Sequence, residues 1–149
     1  VEDAKEATRA AIEEGIVPGG GVTLLKARKV LENNKPSGDA GIGFDIVYRA
    51  LDKPLRKIAE NAGADAGYIV SEVERYDGKD KEAYGWDAVS GEFCNLVEKG
   101  IIDPAKVTRS ALQNAASVAV MILTTEALVA EAPEREKQKE VPPGGEEFE

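Results

Sequence analysis

The stretch Gly100-Ile-Ile-Asp-Pro-Ala-Lys-Val-Thr-Arg-Ser-Ala-Leu-Gln-Asn-Ala-Ala-Ser-Val-Ala-Val-Met-Ile-Leu-Thr-Thr-Glu-Ala-Leu-Val-Ala130 decides how the chain is read. Asp103-Pro104 has the form of a helix start: an Asp side chain accepts a bond from an orphan N–H of the first turn, and Pro at the first helical position loses nothing. No Pro or Gly follows until Pro133. The spacing therefore predicts a helix to about residue 130, roughly 40 Å at ~1.5 Å per residue. Ala111 to Thr125 carries no charge, and Ala115 to Leu123 is apolar on every side apart from Ser117. A helix apolar all round is expected to be buried. The uncharged run is well short of the ~20 residues a membrane span needs. The expectation is a core helix that the rest of the domain wraps.

Length and composition are consistent with that centre. A chain of 149 residues suits one domain. Hydrophobic residues make up 42% but aromatics only 5%, so Ala, Val, Ile and Leu must fill the core. This favours a mainly α fold, a helical bundle around a long central helix with a small β-hairpin, over a large β-sandwich. The net charge of −9 argues against nonspecific binding to nucleic acid or an anionic membrane. One cysteine, Cys94, rules out an internal disulfide and fits a reducing compartment. Without His there is neither His-based catalysis nor a His metal site, and no metal site is expected. No signal peptide or spanning stretch is visible, so a soluble cytoplasmic protein is expected. The opening Val1-Glu-Asp-Ala-Lys-Glu-Ala-Thr-Arg-Ala-Ala-Ile-Glu-Glu-Gly15 is helical in mid-pattern, with no Met and no cap before it. It reads as a fragment cut inside a helix.

Along the chain, Gly15 should close this first helix. Ile16-Val17-Pro18-Gly19-Gly20-Gly21 follows. Three glycines let a backbone come close to a neighbouring helix or to a ligand, and a tight connector between helices is the plainer reading. A phosphate loop is a poor one, because no Gly-Lys-Ser/Thr is present and no strand precedes it. Val22 to Leu31 resumes helical spacing with Val22, Leu24, Leu25, Val30 and Leu31 as apolar anchors. A third helix from Asp39 carries Ile42, Ile46, Val47, Ala50 and Leu51. A fourth restarts at Pro54 and ends before Gly63, and a fifth from Asp65 to about Arg75 buries Ile69, Val70 and Val73. Tyr84–Val89 and Glu92–Leu96 read as a hairpin around Ser90-Gly91. From Pro133 the chain is charged and nearly free of apolar residues, the composition of a disordered acidic tail over 133–149.

Taken together these stretches resemble the C-terminal part of a group I chaperonin, the GroEL-like family. The resemblance rests on Val1-Glu-Asp-Ala with Ala7-Thr-Arg-Ala-Ala, on Gly15-Ile-Val-Pro-Gly-Gly-Gly21, and on Ala50-Leu51 with Pro54-Leu-Arg and Tyr84-Gly. It is strongest over Gly100–Ser117 and Thr124-Thr-Glu126. It runs in collinear order over roughly residues 1–132. It implies an ATP-driven folding machine of two stacked rings, in which an equatorial domain binds ATP and makes the ring contacts. Residues 1–14 would end an intermediate-domain helix, and 15–132 would be the C-terminal half of the equatorial domain. The phosphate-, Mg- and K-holding half of the site, and the domains that hold co-chaperonin and unfolded clients, would lie elsewhere in the subunit.

The resemblance also assigns residues. Asp3 matches the aspartate that orients the attacking water; a free carboxylate is a feeble base, so its work would be positional and electrostatic. Without the family, Asp3 reads as an exposed helix-surface acid. Gly20 matches a glycine whose backbone lies against the nucleotide, Asp103 the acid that holds the ribose hydroxyls, and Ile101 an apolar wall for the base. Asp87, Ala88 and Val89 stand where the family usually has Asn-Ala-Ala at the adenine edge. Asp in place of Asn leaves only acceptor function there, and Val89 narrows the pocket. Arg56 and Asp65 match positions near the ring–ring interface; as isolated surface charges they would be worth ~0–1 kcal/mol if paired. The competing reading is a helical assembly module with no ligand of its own. For the chain alone, neither ATP hydrolysis nor strong ATP binding is expected, and exposed assembly surface should make it self-associate.

Overall fold

The computed structural model describes residues 2–32, 34–127 and 129. Helix α1 (Glu2–Glu14) stops at Gly15, and a short strand β1 (Ile16–Pro18) leads through the triple glycine to α2 (Val22–Glu32). Helices α3 (Asp39–Ala50), α4 (Lys53–Asn61) and α5 (Ala66–Arg75) follow, then a hairpin of β2 (Tyr84–Asp87) and β3 (Glu92–Asn95). Strand β4 (Ile102–Pro104) opens into α6 (Ala105–Thr124). The architecture is mainly α with a small hairpin, as the pattern leads one to expect. Local chemistry explains several boundaries. Pro54 sits in the first turn of α4, where its missing N–H costs nothing. Asp65 caps α5 by accepting the Tyr68 N–H at 3.0 Å.

The core lies between α2, α4, α5 and the hairpin. Val22 and Leu25 from α2 meet Leu55 and Ala59 from α4, and Ile69, Val70 and Val73 from α5 close over them. Trp86 and Leu96 add the hairpin side. Each helix contributes residues three or four apart, one face apiece. A charged network laces the same helices together. Arg28, on the buried stripe of α2, donates to the Tyr48 carbonyl at 2.8 Å, to Glu74 at 2.8 Å and to Asp52 at 3.0 Å. Its guanidinium also lies over the Tyr48 ring, 4.6 Å from the centroid.

Helix α6 departs from the expectation. None of its residues is buried, and Val118, Val120, Met121, Ile122 and Leu123 are 53–77% exposed. An all-round apolar sequence records a need for cover, and among the described residues α1 and β4 pack against the N-terminal part of the helix. Its ends differ too. Asp103 belongs to β4, and Pro104 takes the cap position without a side-chain bond. The first helical N–H, from Ala105, is satisfied by the Gly15 carbonyl at 3.0 Å, so no carboxylate cap is needed. At the far end Thr124 and Thr125 turn their hydroxyls back onto the Val120 and Met121 carbonyls, at 2.9 and 2.5 Å. Such bonds compete with continued helix, which stops at Thr124 rather than near residue 130.

Two smaller expectations also change. Ile42, Ile46 and Val47 of α3 are exposed, as is Val30 of α2. The apolar spacing of α3 is real, but its face meets solvent while Leu51, just beyond its end, is buried. The acidic tail expected over 133–149 lies outside the described residues. Among the described residues no helix is long and apolar enough to cross a membrane.

Candidate functional site

The two three-residue strands β1 and β4 are separated by more than eighty positions, yet they pair antiparallel. Ile16 stands opposite Pro104, Val17 opposite Asp103, and Pro18 opposite Ile102. The pairing draws the triple glycine against the chain that enters α6. The Gly19 N–H donates to the Ile101 carbonyl at 3.0 Å, and a Cβ on Gly19 would sit 3.2 Å from that peptide. Gly21 has φ +76°, and a Cβ there would lie 2.6 Å from the Leu55 backbone nitrogen. Internal packing thus accounts for Gly19 and Gly21. Gly20 is different: its φ is +65°, but a Cβ would meet only Leu96 and the Trp86 carbonyl at ordinary contact distances of 3.8 and 3.9 Å. The chain itself does not press on Gly20.

The contact of Gly20 with Trp86 joins the glycine turn to the hairpin. There Trp86 faces Phe93, and Asp87 faces Glu92 across the ladder. Asp87 is buried, and both its oxygens are engaged inside the turn. Oδ1 accepts the Val89 N–H at 2.9 Å, and Oδ2 accepts the Ser90 hydroxyl at 2.7 Å and the Lys99 ammonium at 2.8 Å. Lys99 also donates to the Ser90 oxygen at 2.9 Å. The bonds from Lys99, Ser90 and Val89 hold the Asp87 carboxyl far below the usual carboxylate range, and Asp87 in turn raises Lys99. Asp87, read from the sequence as an acceptor toward a base, is thus a staple of its own turn. Ala88 packs against the core cluster, as does Ile101. Val89 is 97% exposed at the tip and lines, with Asp65, Tyr68, Trp86 and Phe93, a shallow hollow of about 440 Å³.

Asp3 is exposed on the first turn of α1. It borders a groove of about 570 Å³ between α1 and α6, with Ala7 and Ala10 on one side and Pro104, Lys106 and Val107 on the other. Two ion pairs hold these helices together, Glu13 to Lys106 and Glu14 to Arg109, the latter at 2.6 Å. Hydrogen bonds from Lys106 and Arg109 lower the two glutamates. The structure therefore brings the glycine turn against Ile101, through Gly19, and against the Trp86 carbonyl, through Gly20, with Asp103 two residues beyond Ile101 in the ribbon. Asp3 stands at the other end of α1, about three helical turns from the Glu13 and Glu14 contacts with the start of α6, and reaches only the groove. Arg56 and Asp65 are not paired with each other: Arg56 donates to Asp52 at 2.6 Å, and Asp65 serves as the α5 cap.

Sequence reading passed over Lys99 and Arg28. Lys99 lies nine residues from Ser90, across the hairpin, where no local spacing rule joins them. Arg28 left a signal, since it falls three residues after Leu25 on the buried stripe of α2 and a buried cation demands acidic partners.

Residues 1–133 match the profile of the TCP-1/cpn60 chaperonin family. Among solved structures, a group III chaperonin in the open state is similar at 31% identity and a TM-score of 0.70, over 80% of this chain and 25% of that one. The open-state monomer of a group II chaperonin from Methanococcoides burtonii is similar at 26% identity and a TM-score of 0.67, over 74% of this chain and 28% of that one. The chain thus spans about a quarter of the length of these structures. The family match covers residues 1–133 of 149, and the chain belongs to the TCP-1/cpn60 chaperonin family.

Proposed function

We propose that the chain forms the C-terminal equatorial part of an ATP-driven chaperonin subunit, of the group I type that its motifs resemble, and supplies one wall of the nucleotide site. The observation that carries this reading is the glycine turn, which lies against Ile101 at Gly19 and against the Trp86 carbonyl of the hairpin at Gly20. Gly20 keeps a backbone that the chain does not cover, so a flat ligand can lie against it without meeting a side chain. Ile101 offers apolar surface for a base, and the Ala88 backbone offers hydrogen-bonding groups at its rim. Asp103, exposed in the ribbon, can accept from ribose hydroxyls. Asp3 orients water from the rim of the α1–α6 groove. Its contribution is placement, since an exposed carboxylate is a weak base.

A magnesium ion, when bound with the triphosphate, supplies charge neutralisation at the phosphates. Among the described residues no group of three or more acids, Cys or His converges to hold it. In this reading Mg and K are held by parts of the subunit outside this chain. Calorimetric titration of ATP into the chain alone, and into the chain mixed with the N-terminal part of its subunit, tests the proposal. Binding in the mixture and not in the chain alone is expected. Mg-dependent ATP turnover by the chain alone would refute the split of roles, and binding in neither would remove the nucleotide site.

The exposed shaft of α6 favours a second reading, an assembly module whose surface mates with other chaperonin segments. It is compatible with the first if the shaft and the nucleotide edge use different faces. Chaperonins build rings of subunits, and Arg56 and Asp65 stand in this proposal at the ring–ring contact, Arg56 after exchanging Asp52 for a partner. Co-chaperonin and client contacts fall to other domains, and the whole particle works in the cytoplasm.

A further inference from the structure

From the geometry of the hairpin turn we infer that Lys99 is a positioning residue for base recognition, acting through Asp87 on the backbone of Ala88; this rests on the nucleotide-site reading above. An Asp at the tip of a hairpin would carry an uncompensated charge toward a nucleobase. Here that charge is neutralised from behind. Lys99 reaches across from the segment after β3, placing its ammonium 2.8 Å from Asp87 Oδ2 and 2.9 Å from the Ser90 oxygen. Ser90 closes the triangle with its own 2.7 Å bond to Oδ2. With Oδ2 so held, Oδ1 is aimed at the Val89 N–H, and the peptide between Asp87 and Val89 is fixed on both sides. That peptide carries Ala88, whose side chain is anchored against the core. The backbone of Ala88 is therefore held in one position two residues beyond Trp86, whose carbonyl neighbours Gly20.

The specificity consequence follows from chemistry. An adenine edge offers an amino donor beside a ring acceptor, and a guanine edge offers the reverse. A rigid peptide distinguishes the two, whereas a turn free to rotate adapts to either. Removing the Lys99 ammonium leaves Asp87 charged without a counter-ion, held only by the Ser90 hydroxyl and the Val89 N–H, and the restraint on Ala88 loosens. A general loss of structure would weaken both nucleotides together. Loss of position erodes only the difference between them.

The test is the ratio of GTP to ATP dissociation constants, measured by competition on the full-length subunit. Lys99→Met is expected to lower this ratio roughly fivefold, the size of one lost hydrogen bond. Lys99→Arg should keep it. Asp87→Asn combined with Lys99→Met should restore it, because the amide oxygen still accepts the Val89 N–H and no charge needs a partner. Emission of Trp86, the chain's single tryptophan and the neighbour of Asp87, shows that each variant keeps its hairpin. A ratio unchanged in Lys99→Met, or no recovery in the double variant, overturns the assignment alone. A wild-type subunit that binds neither nucleotide overturns the nucleotide-site reading and this assignment with it.

Discussion

Gly20 and Gly21 adopt similar backbone angles, yet their neighbours make them unequal. At Gly21 a methyl group would be strained by φ +76° and would also press 2.6 Å from the Leu55 nitrogen, which belongs to rigid backbone at the centre of the core. Gly21→Ala should cost roughly 2–4 kcal/mol, the sum of a left-handed residue and a forced contact. Gly20→Ala makes only ordinary contacts with Leu96 and the Trp86 carbonyl and should cost about 1 kcal/mol of left-handed strain. Urea melts of the two variants measure the difference, and equal losses would contradict the packing described for Gly21. Asp87 gives a second expectation. Its carboxyl ionises at lower pH in the folded chain than in the unfolded one. The stabilisation is therefore complete above about pH 4, the usual carboxylate value, and drains away as pH falls below it toward the folded-state value. Asp87→Asn should flatten stability against pH between about 4 and 2, measured by melts at each pH. Most of this was half legible in the sequence: three glycines announced a close approach but not which of them met a neighbour, and Asp87 announced a charge but not Lys99.

Among the elements, α4, α5 and the hairpin were readable because each carries its own start and stop chemistry, in Pro54, Asp65 and Ser90-Gly91. The β1–β4 ribbon was not, since three-residue strands far apart in sequence leave no periodic trace. Helix α6 was readable as a helix and misread as a core. Its apolar sequence told of a need for cover, but the periodicity could not say that the described helices leave the shaft exposed. That contrast can be measured. Val118→Lys with Met121→Lys adds charge at two exposed positions. In a buried helix it would unfold the chain. Here it should change thermal stability by no more than about 1 kcal/mol, the range of two surface substitutions. Self-association, expected from burial of the bare shaft's apolar surface, should fall sharply. Thermal melts and sedimentation velocity on the same samples separate the two effects, and a large loss of stability would return α6 to the core.

At the scale of the whole molecule, two regions of unequal stability follow from where apolar surface is buried. The core residues all belong to α2, α4, α5 and the hairpin with its exit, and Arg28 ties that unit together through Asp52 and Glu74. Helices α1 and α6 have no buried residue between them and are joined by ion pairs at Glu13–Lys106 and Glu14–Arg109. Exposed pairs of that kind contribute ~0–1 kcal/mol each and weaken with salt. Local opening should therefore begin at the far end of α6, where neither α1 nor a core contact restrains it. Hydrogen exchange followed by mass spectrometry should show strong protection in α2, α4, α5 and β2–β3, and little over residues 115–124. Raising salt should extend the weak region into α1 while leaving the core unit unchanged. Adding the N-terminal part of the subunit should protect residues 115–124 and the Gly19–Gly21 turn together, because the same docking would cover the shaft and complete the nucleotide edge. Protection of the shaft without the turn would mean that α6 serves assembly alone, and the glycine turn would revert to a connector between two helices.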